Sequence, residues 1–440
     1  MDIDSLAGQV LDWVRDADAT GDLIIDEGES LSLKARDGAL EEHKVSSSQV
    51  FGLRVIKDDR VGTAYSEAAD ADALRSMVDQ ALVNASFARP EHHEKILPLE
   101  AELRTDDSLL CPPDAAGVEE KIDAALTLET RLAARDKVKN VPYNGVSDNT
   151  GQRRVFTTAG LTAFSRSRMC SAMAFALMEE GEKNVMDGFG QASRIFGEID
   201  IDAIIEQAHK NCTGLLHGEP VESGHYDVVF DKETQADLFG VFDMMFSGKS
   251  AKDGVNPMRD KVGEQIADPR LSFLDIPLNA DGFGYSLFDA EGTPTGNRAF
   301  IHEGRLETLA HNSATAAHFG VKTTGHAARG PRSTLGVGLH QYEVAAGPDA
   351  DVLAGTYLEI TDLTGLHSGA NPIAGDFSFG ASGYLCRDGA RQQPVRGITV
   401  AGNFYEMLKQ IAAIGTEQFW NWQRHALMPH VRFAGIAVSG

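Results

Sequence analysis

Apolar positions recur along this chain at two spacings, and the order in which those spacings alternate predicts the architecture. Leu6, Val10, Trp13 and Val14 share one face at helical spacing, which predicts a helix over about 4–17. Four strand-like runs follow at 30–38, 39–49, 51–59 and 60–68. Turn signals at Arg36-Asp37-Gly38 and Lys57-Asp58-Asp59-Arg60 separate them, so an antiparallel meander is expected. Leu74, Met77, Val78, Ala81, Leu82 and Ala85 mark a second helix over about 70–88. A connector carrying Pro90 and Pro98 has no periodicity. Pro112, Pro113 and Asp114 then open a helix over about 114–134. Strand-like runs at 154–160, 161–169 and 171–181 lead to a helix over about 201–216. The order helix, strands, helix therefore occurs twice before residue 220, a repetition of element order rather than of residue identity.

His217 to Asp231 reads as a boundary, beyond which glycine and short strand-like runs dominate. That region carries a helix over about 232–247, a hairpin over 299–310, a short helix near 313–319 and a helix over about 403–414. The expected fold class is α+β. A domain of helices and antiparallel sheet spans 1–220, with sub-units of about 1–90 and 112–220, and a larger β-rich domain spans 221–440.

Composition narrows the function. In 440 residues, 42% hydrophobic and 24% charged positions exclude a disordered or fibrous chain. The net charge of −25 repels nucleic-acid phosphates, and no Lys/Arg cluster larger than Arg153-Arg154 or Arg166/Arg168 offsets it, so no direct nucleic-acid partner is expected. Cys111, Cys170, Cys212 and Cys386 are too widely spaced for a disulfide framework and suit a reducing compartment. The acidic start lacks the basic and apolar regions of a secretory leader, and no apolar run reaches the roughly 20 residues that span a bilayer. The expectation is a cytoplasmic protein with no membrane partner.

Familiar catalytic motifs fail one by one. His302-Glu303 sits in the hairpin, with no second histidine one helical turn on, so it cannot be a helical zinc motif. His92-His93-Glu94 lies in the proline-flanked connector. Ser247-Gly248-Lys249-Ser250 resembles the end of a phosphate loop, but Asp243 stands where the first glycine belongs, and Gly248 is read instead as ending the helix. Ser378 and Ser382 miss the nucleophile-elbow spacing. His311 and His318 are seven apart and only roughly share a face. Asp289 to Asn297 is either a tight connection or the rim of a site. The most conspicuous stretch is Gly365 to Gly383, whose glycines permit close backbone approach. Its His367, Ser368, Asn371, Asp376 and Ser378 are the candidate substrate-binding residues, with Asp376 expected to accept backbone N–H groups. No catalytic or metal residue is assigned in this chain.

The same stretch, with 394–417, 291–297, 323–330 and 429–440, resembles the C-terminal domain of the TldD/PmbA family, and the doubled unit before residue 220 is similar to that family's N-terminal part. The resemblance implies a cytosolic peptidase built from two related subunits. The TldD-like subunit carries an HExxxH helix and a late cysteine that hold a metal, expected to be zinc; the PmbA-like subunit, also called TldE, lacks them. The family's metal helix follows a strand resembling Tyr226–Phe230, which places the motif near Gly240–Met245. No His or Glu occupies that window, and Asp243 alone cannot hold zinc. The late cysteine is also missing, and His425 and His430 in that region lack helix partners. The resemblance therefore implies a PmbA/TldE-like subunit that is inactive alone, with no cofactor of its own. Its partner would be a TldD-like metallopeptidase subunit supplying zinc, its substrate an unfolded peptide, and a second copy of this chain the alternative partner when it is alone. Two other readings remain: a peptide-binding or scaffolding protein without a protease partner, and a self-standing hydrolase using the His367/Asp376 loop.

Overall fold

The computed structural model describes residues 3–440. The first unit is α1 (Ile3–Asp16), β1 (Thr20–Arg36), β2 (Ala39–Lys57), β3 (Arg60–Ser66) and α2 (Ala71–Phe87). After β4 (Glu102–Arg104) and α3 (Asp107–Leu110), the second is α4 (Val118–Ala133), β5 (Val138–Thr157), β6 (Thr162–Glu180), β7 (Lys183–Ser193) and α5 (Ile201–Leu215). Helix, three strands, helix thus recurs. The two meanders join through antiparallel pairing of β1 with β5 into one seven-stranded sheet.

The predicted strand count needs correction. The four runs of the first meander form three strands, because 39–49 and 51–57 are one strand, β2, paired without a break against β1 from Gly21 to Lys34. Likewise the runs at 161–169 and 171–181 merge in β6, and β7 is an additional strand. Serines and glutamine at Ser46–Gln49 made β2 read as interrupted. In a ladder this long, backbone pairing carries the strand through a segment with no apolar alternation.

That polar segment matters. Leu23 and Ile25 of β1 pack beneath α1 and α2 with Phe51, Leu53 and Val55. Leu31 and Leu33 of the same strand pack near α4 and α5 with Leu128, Leu132, Ile204 and Ile205. One strand therefore feeds two separate cores, and its middle, Asp26–Ser30, belongs to neither.

The second sheet uses β8 (Gly224–Phe230), β9 (Phe273–Asp275), β10 (Arg298–His302), β11 (Arg305–Leu306), β14 (Tyr342–Val344), β15 (Thr356–Thr364), β16 (Asp376–Arg387), β17 (Ala390–Asn403), β18 (Ile411–Trp420) and β19 (Ala426–Ser439). The pair β12 (Ala327–Ala328) and β13 (Gly336–Val337) stands apart. Pairings β8–β15, β15–β16, β16–β17, β17–β19 and β19–β8 close into a circuit, around a core that includes Phe230, Ile360, Phe379, Val400 and Phe433. Helices α6 (Lys232–Val241), α7 (Gly248–Lys252), α8 (Ser313–Phe319) and α9 (Phe404–Met407) complete the chain.

Two helix expectations are corrected here. The helix expected over about 232–247 ends at Val241, continues as a 3₁₀ turn over Asp243–Phe246, and is followed by α7. Gly248 begins α7 rather than ending a helix: the Ser247 hydroxyl caps it, accepting the Ser250 N–H, and Gly248 lies where a Cβ would meet Ala310 O at 2.6 Å. The helix expected over about 403–414 is only α9, because Ile411 onward pairs with β19. No helix among the described residues is long and apolar enough to cross a membrane.

Candidate functional site

Between the polar middle of the first sheet and the 283–290 and 327–340 segments lies a cleft of about 1000 Å³. Its sheet wall is the segment that neither core claims, including Gly28–Ser30, Ser46, Ser48 and Asn149–Gly151. β1 and β5 lie inside the sheet here, paired on both sides, whereas β2 at Ser46–Gln49 is hydrogen-bonded only to β1 and β6 at 165–169 only to β5, so each presents a backbone edge.

The opposite wall is organised by Asp275 at the end of β9. Its carboxylate is fully buried and accepts four hydrogen bonds. Oδ2 takes His326 Nε2 at 2.9 Å and His340 Nδ1 at 2.8 Å, and Oδ1 takes the backbone N–H groups of His340 and Gln341 at 3.0 Å each. Burial pushes the Asp275 carboxyl up, but the bonds from His326 and His340 outweigh it and hold the group below the usual range. An ionised carboxylate only accepts, so both ring nitrogens facing it carry protons. His340, which lines the cleft, is left with Nε2 as its free nitrogen. His326 Nδ1 is 2.9 Å from the Thr324 hydroxyl.

A buried charge network ties the two walls together. Arg54 of β2 donates through Nε to Asp22 Oδ2 at 2.8 Å and through Nη1 to Glu94 at 2.8 Å, and lies 3.8 Å from Glu291. Arg329 pairs with the same Asp22 and donates to Gly52 O at 3.2 Å. The loop comes so close that a Cβ at Gly52 would sit 2.1 Å from Pro331 O, which only glycine accommodates. Glu291 accepts from the Ser313 N–H at 2.9 Å and hydroxyl at 2.6 Å, and burial pushes it up to about 7 despite Arg54. Asp289 accepts N–H bonds from Glu291, Thr293 and Ala327, each at 2.9 Å. The 289–297 stretch is therefore both tight turn and cleft rim.

Among the cleft arginines, Arg153 grips Asp26 with two bonds of 2.7 Å, and Arg168 pairs with Asp148 and Asp114. Arg194 instead donates to the carbonyls of Ala280 at 2.9 Å and Gly282 at 2.7 Å and lies over the Phe283 ring. Arg166 is exposed and has no ion pair among the described residues.

The glycine-rich residues lie elsewhere. His367, Ser368, Asn371, Asp376 and Ser378 are exposed, and none lines the cleft. Only 365–375 is loop; from Asp376 the stretch is strand β16, where Gly383 meets the β15 backbone at a bulge. The acceptor of backbone N–H groups is Asn371, from Ile373 and Ala374 at 3.1 Å each, while the Asp376 side chain accepts the Asn403 amide at 2.8 Å. His367 and Asp376 share no hydrogen bond among the described residues. His302 and Glu303 form a hairpin tip, with Glu303 and Gly304 at φ 49° and 78°.

The 240–245 window presents Gly240, Val241, a half-buried Met244 and one exposed carboxylate, Asp243, with Phe242 and Met245 fully buried in the core. Asp275, His326 and His340 bring three donor atoms together. Their 2.8–2.9 Å separations are hydrogen-bond lengths, shorter than the roughly 3.3 Å between neighbouring donors on a tetrahedral zinc. Asp114, Asp148 and Cys170 also converge. Lys121 and Arg168 already occupy those carboxylates, and burial with Asp148 pushes the Cys170 thiol up to about 12. The candidate residues read from sequence omitted Asp275, His326, His340 and Arg329. The sequence reads Asp289–Asn297 as a tight connection or a site rim, and 323–330 enters only through the resemblance; the partners themselves escape because topology brings them together over 51 to 307 residues.

Three family models match the chain: PmbA/TldA metallopeptidase domain 1 over 21–85, the central domain over 111–215, and the C-terminal domain over 223–440. The chain is 26% identical to metalloprotease PmbA of Escherichia coli O157:H7, covering 92% of this chain and 90% of that one. It is 25% identical to the Haemophilus influenzae PmbA homolog, covering 91% and 88%. The fold superposes on TldE from Thermococcus kodakarensis with a TM-score of 0.85 at 20% identity, covering 99% of this chain and all of that one. It also superposes on a Thermotoga maritima protein named for modulation of a DNA gyrase, with a TM-score of 0.88 at 23% identity over the whole of both chains. With all three domain models aligned along it, the chain belongs to the PmbA/TldA metallopeptidase family.

Proposed function

We propose that this chain is the PmbA/TldE-like, metal-free subunit of a heteromeric peptidase that acts on unfolded peptides in the cytoplasm. A TldD-like partner supplies the zinc and the general base that activate water. The observation that carries this reading is the 240–245 window: its only donor side chain is Asp243, which alone cannot hold zinc, and its Phe242 and Met245 are committed to the core. Four unpaired cysteines agree with a reducing compartment. The self-standing hydrolase built on His367 and Asp376 loses its support, since these exposed side chains are not hydrogen-bonded to each other.

Co-expression with a TldD-like chain tests the assembly. The pair is expected to co-purify and to cleave an unfolded peptide, whereas this chain alone leaves that peptide intact. Cleavage by the purified chain alone, abolished when His367 is replaced by alanine, would return the hydrolase reading.

A further inference from the structure

We infer that the cleft between the two sheets is a carboxylate-binding site that selects acidic segments of an extended peptide, with Arg166, Arg194 and Arg329 as its cations. The proposal rests on the peptide reading above but not on a zinc-bearing partner.

The first support is a local reversal of charge. The whole chain carries −25, yet five arginines line the cleft against two carboxylates, Glu29 and Asp289. In a chain this acidic, a cationic concavity attracts anions where the rest of the surface repels them. The oxygens of Asp289 accept the backbone N–H groups of Glu291, Thr293 and Ala327 rather than an arginine.

The second is the state of the arginines. Arg153 and Arg168 are neutralised by bidentate or paired carboxylates and serve the sheet. Arg194 has no carboxylate within its hydrogen bonds; two carbonyls and the Phe283 face orient a full positive charge toward the cleft without compensating it. Arg166 has neither ion pair nor hydrogen bond from its side chain among the described residues. Arg329, 5% exposed, shares Asp22 with Arg54 through Nη1, but its Nε is the one buried arginine nitrogen left without a partner among the described residues. A buried donor of that kind is costly unless something accepts from it. A carboxylate fits the planar guanidinium fork.

The third is the rest of the lining. Ser30, Ser46, Ser48, Ser165 and Ser167 supply hydroxyls along the sheet wall, and Phe283, Tyr285 and Phe288 supply apolar area opposite. β1 and β5 in the middle of this wall are laddered on both sides, while β2 at Ser46–Gln49 and β6 at 165–169 each keep an open edge. An extended peptide lying over the wall or along such an edge is read by sequence-tolerant backbone contacts and by side chains, and the arginines then select acidic ones.

The test is fluorescence anisotropy with the purified chain alone and a labelled ten-residue Glu-rich peptide. Its Gln-substituted isostere, a C-terminally amidated form, a Lys-rich peptide and a single-stranded oligonucleotide of equal length serve as competitors. The acidic peptide is expected to bind at least tenfold more tightly than the Gln isostere, with affinity falling as salt rises. Weakening on amidation alone identifies the C-terminal carboxylate as the ligand group, and weakening on Glu→Gln identifies side chains; either supports the site. Arg166→Gln, at an exposed and unpaired position, is expected to weaken binding severalfold, and Arg166→Gln with Arg194→Gln at least tenfold, in protein whose circular dichroism matches the parent. Equal affinity for the acidic and Gln peptides, tighter binding of the oligonucleotide, or no effect of Arg166→Gln would overturn the proposal. None of these outcomes depends on the zinc-bearing partner, whose absence would be read from co-purification.

Discussion

Glu291 shows how much of this protein's behaviour is decided by single buried groups. Burial raises its folded pKa to about 7, against roughly 4.3 in an unfolded chain. The folded state therefore binds the extra proton between those values, so the stability this group contributes is complete below pH 4 and is lost as pH rises through 7. Glu291→Gln cannot titrate. Measured by urea unfolding, the variant is expected to gain stability relative to the parent as pH is raised from 5 to 8. A parent–variant difference that is flat across that range would contradict the assignment. The reason this residue was visible in the sequence only as part of a turn is general for the cleft. Glu291, Asp275, His326 and Arg329 acquire their properties from their surroundings on other elements: Glu291 from burial that Arg54 only partly offsets, Asp275 from two histidines, Arg329 from Asp22. His367, by contrast, attracted notice through its glycine-rich neighbours, and it lies exposed on a loop away from the cleft.

Elements were legible where periodicity was local. The first-unit helices and the 313–319 helix follow their apolar spacing and caps: Asp70 accepts the Ala73 N–H, and Asn312 accepts the Thr315 N–H. Elements were misread where pairing overrode composition, as in β2 and β6, and where a helical pattern was claimed by a strand, as after Met407. The decisive element is α6 with its following 3₁₀ turn. Phe242 stacks on Phe404 at 4.5 Å between centroids, Phe239 on Phe273 at 5.4 Å, and Phe246 on Phe273 at 4.6 Å. Phe239, Phe242, Met245 and Phe246 are all buried and Met244 is half-buried, so this segment packs into the core. Phe242→Ala is expected to cost about 3–5 kcal/mol in chemical denaturation, because the stacked rings around it cannot close the cavity. A loss below about 1 kcal/mol would mean that this segment is a mobile wall rather than a packed one.

At the scale of the molecule, the two sheets share one apolar cluster, in which Val229, Tyr357, Tyr384 and Cys386 pack with Leu33, Ala174 and Ile204, and a buried charged junction ties them at the cleft. Asp22 serves both Arg54 and Arg329, joining β2 to the loop before β13. Asp22→Ala strands two buried guanidinium groups and is expected to destabilise the chain by about 3–5 kcal/mol. Hydrogen exchange should show protection falling both in β1 and at 327–333, while the β16–β17 ladder keeps its protection. Uniform loss everywhere, or none, would show that the junction is not a local lock. This architecture leaves the polar midsection of the first sheet facing a cationic cleft, and leaves the helix that would bear the family's metal filled with phenylalanine and methionine. Both features follow from residues at known positions, and the second makes the central claim directly measurable. Elemental analysis of the purified chain, alone and as a complex with a TldD-like partner, is expected to find no stoichiometric zinc in the isolated chain and about one zinc per complex. One tightly held zinc per isolated chain would contradict the account.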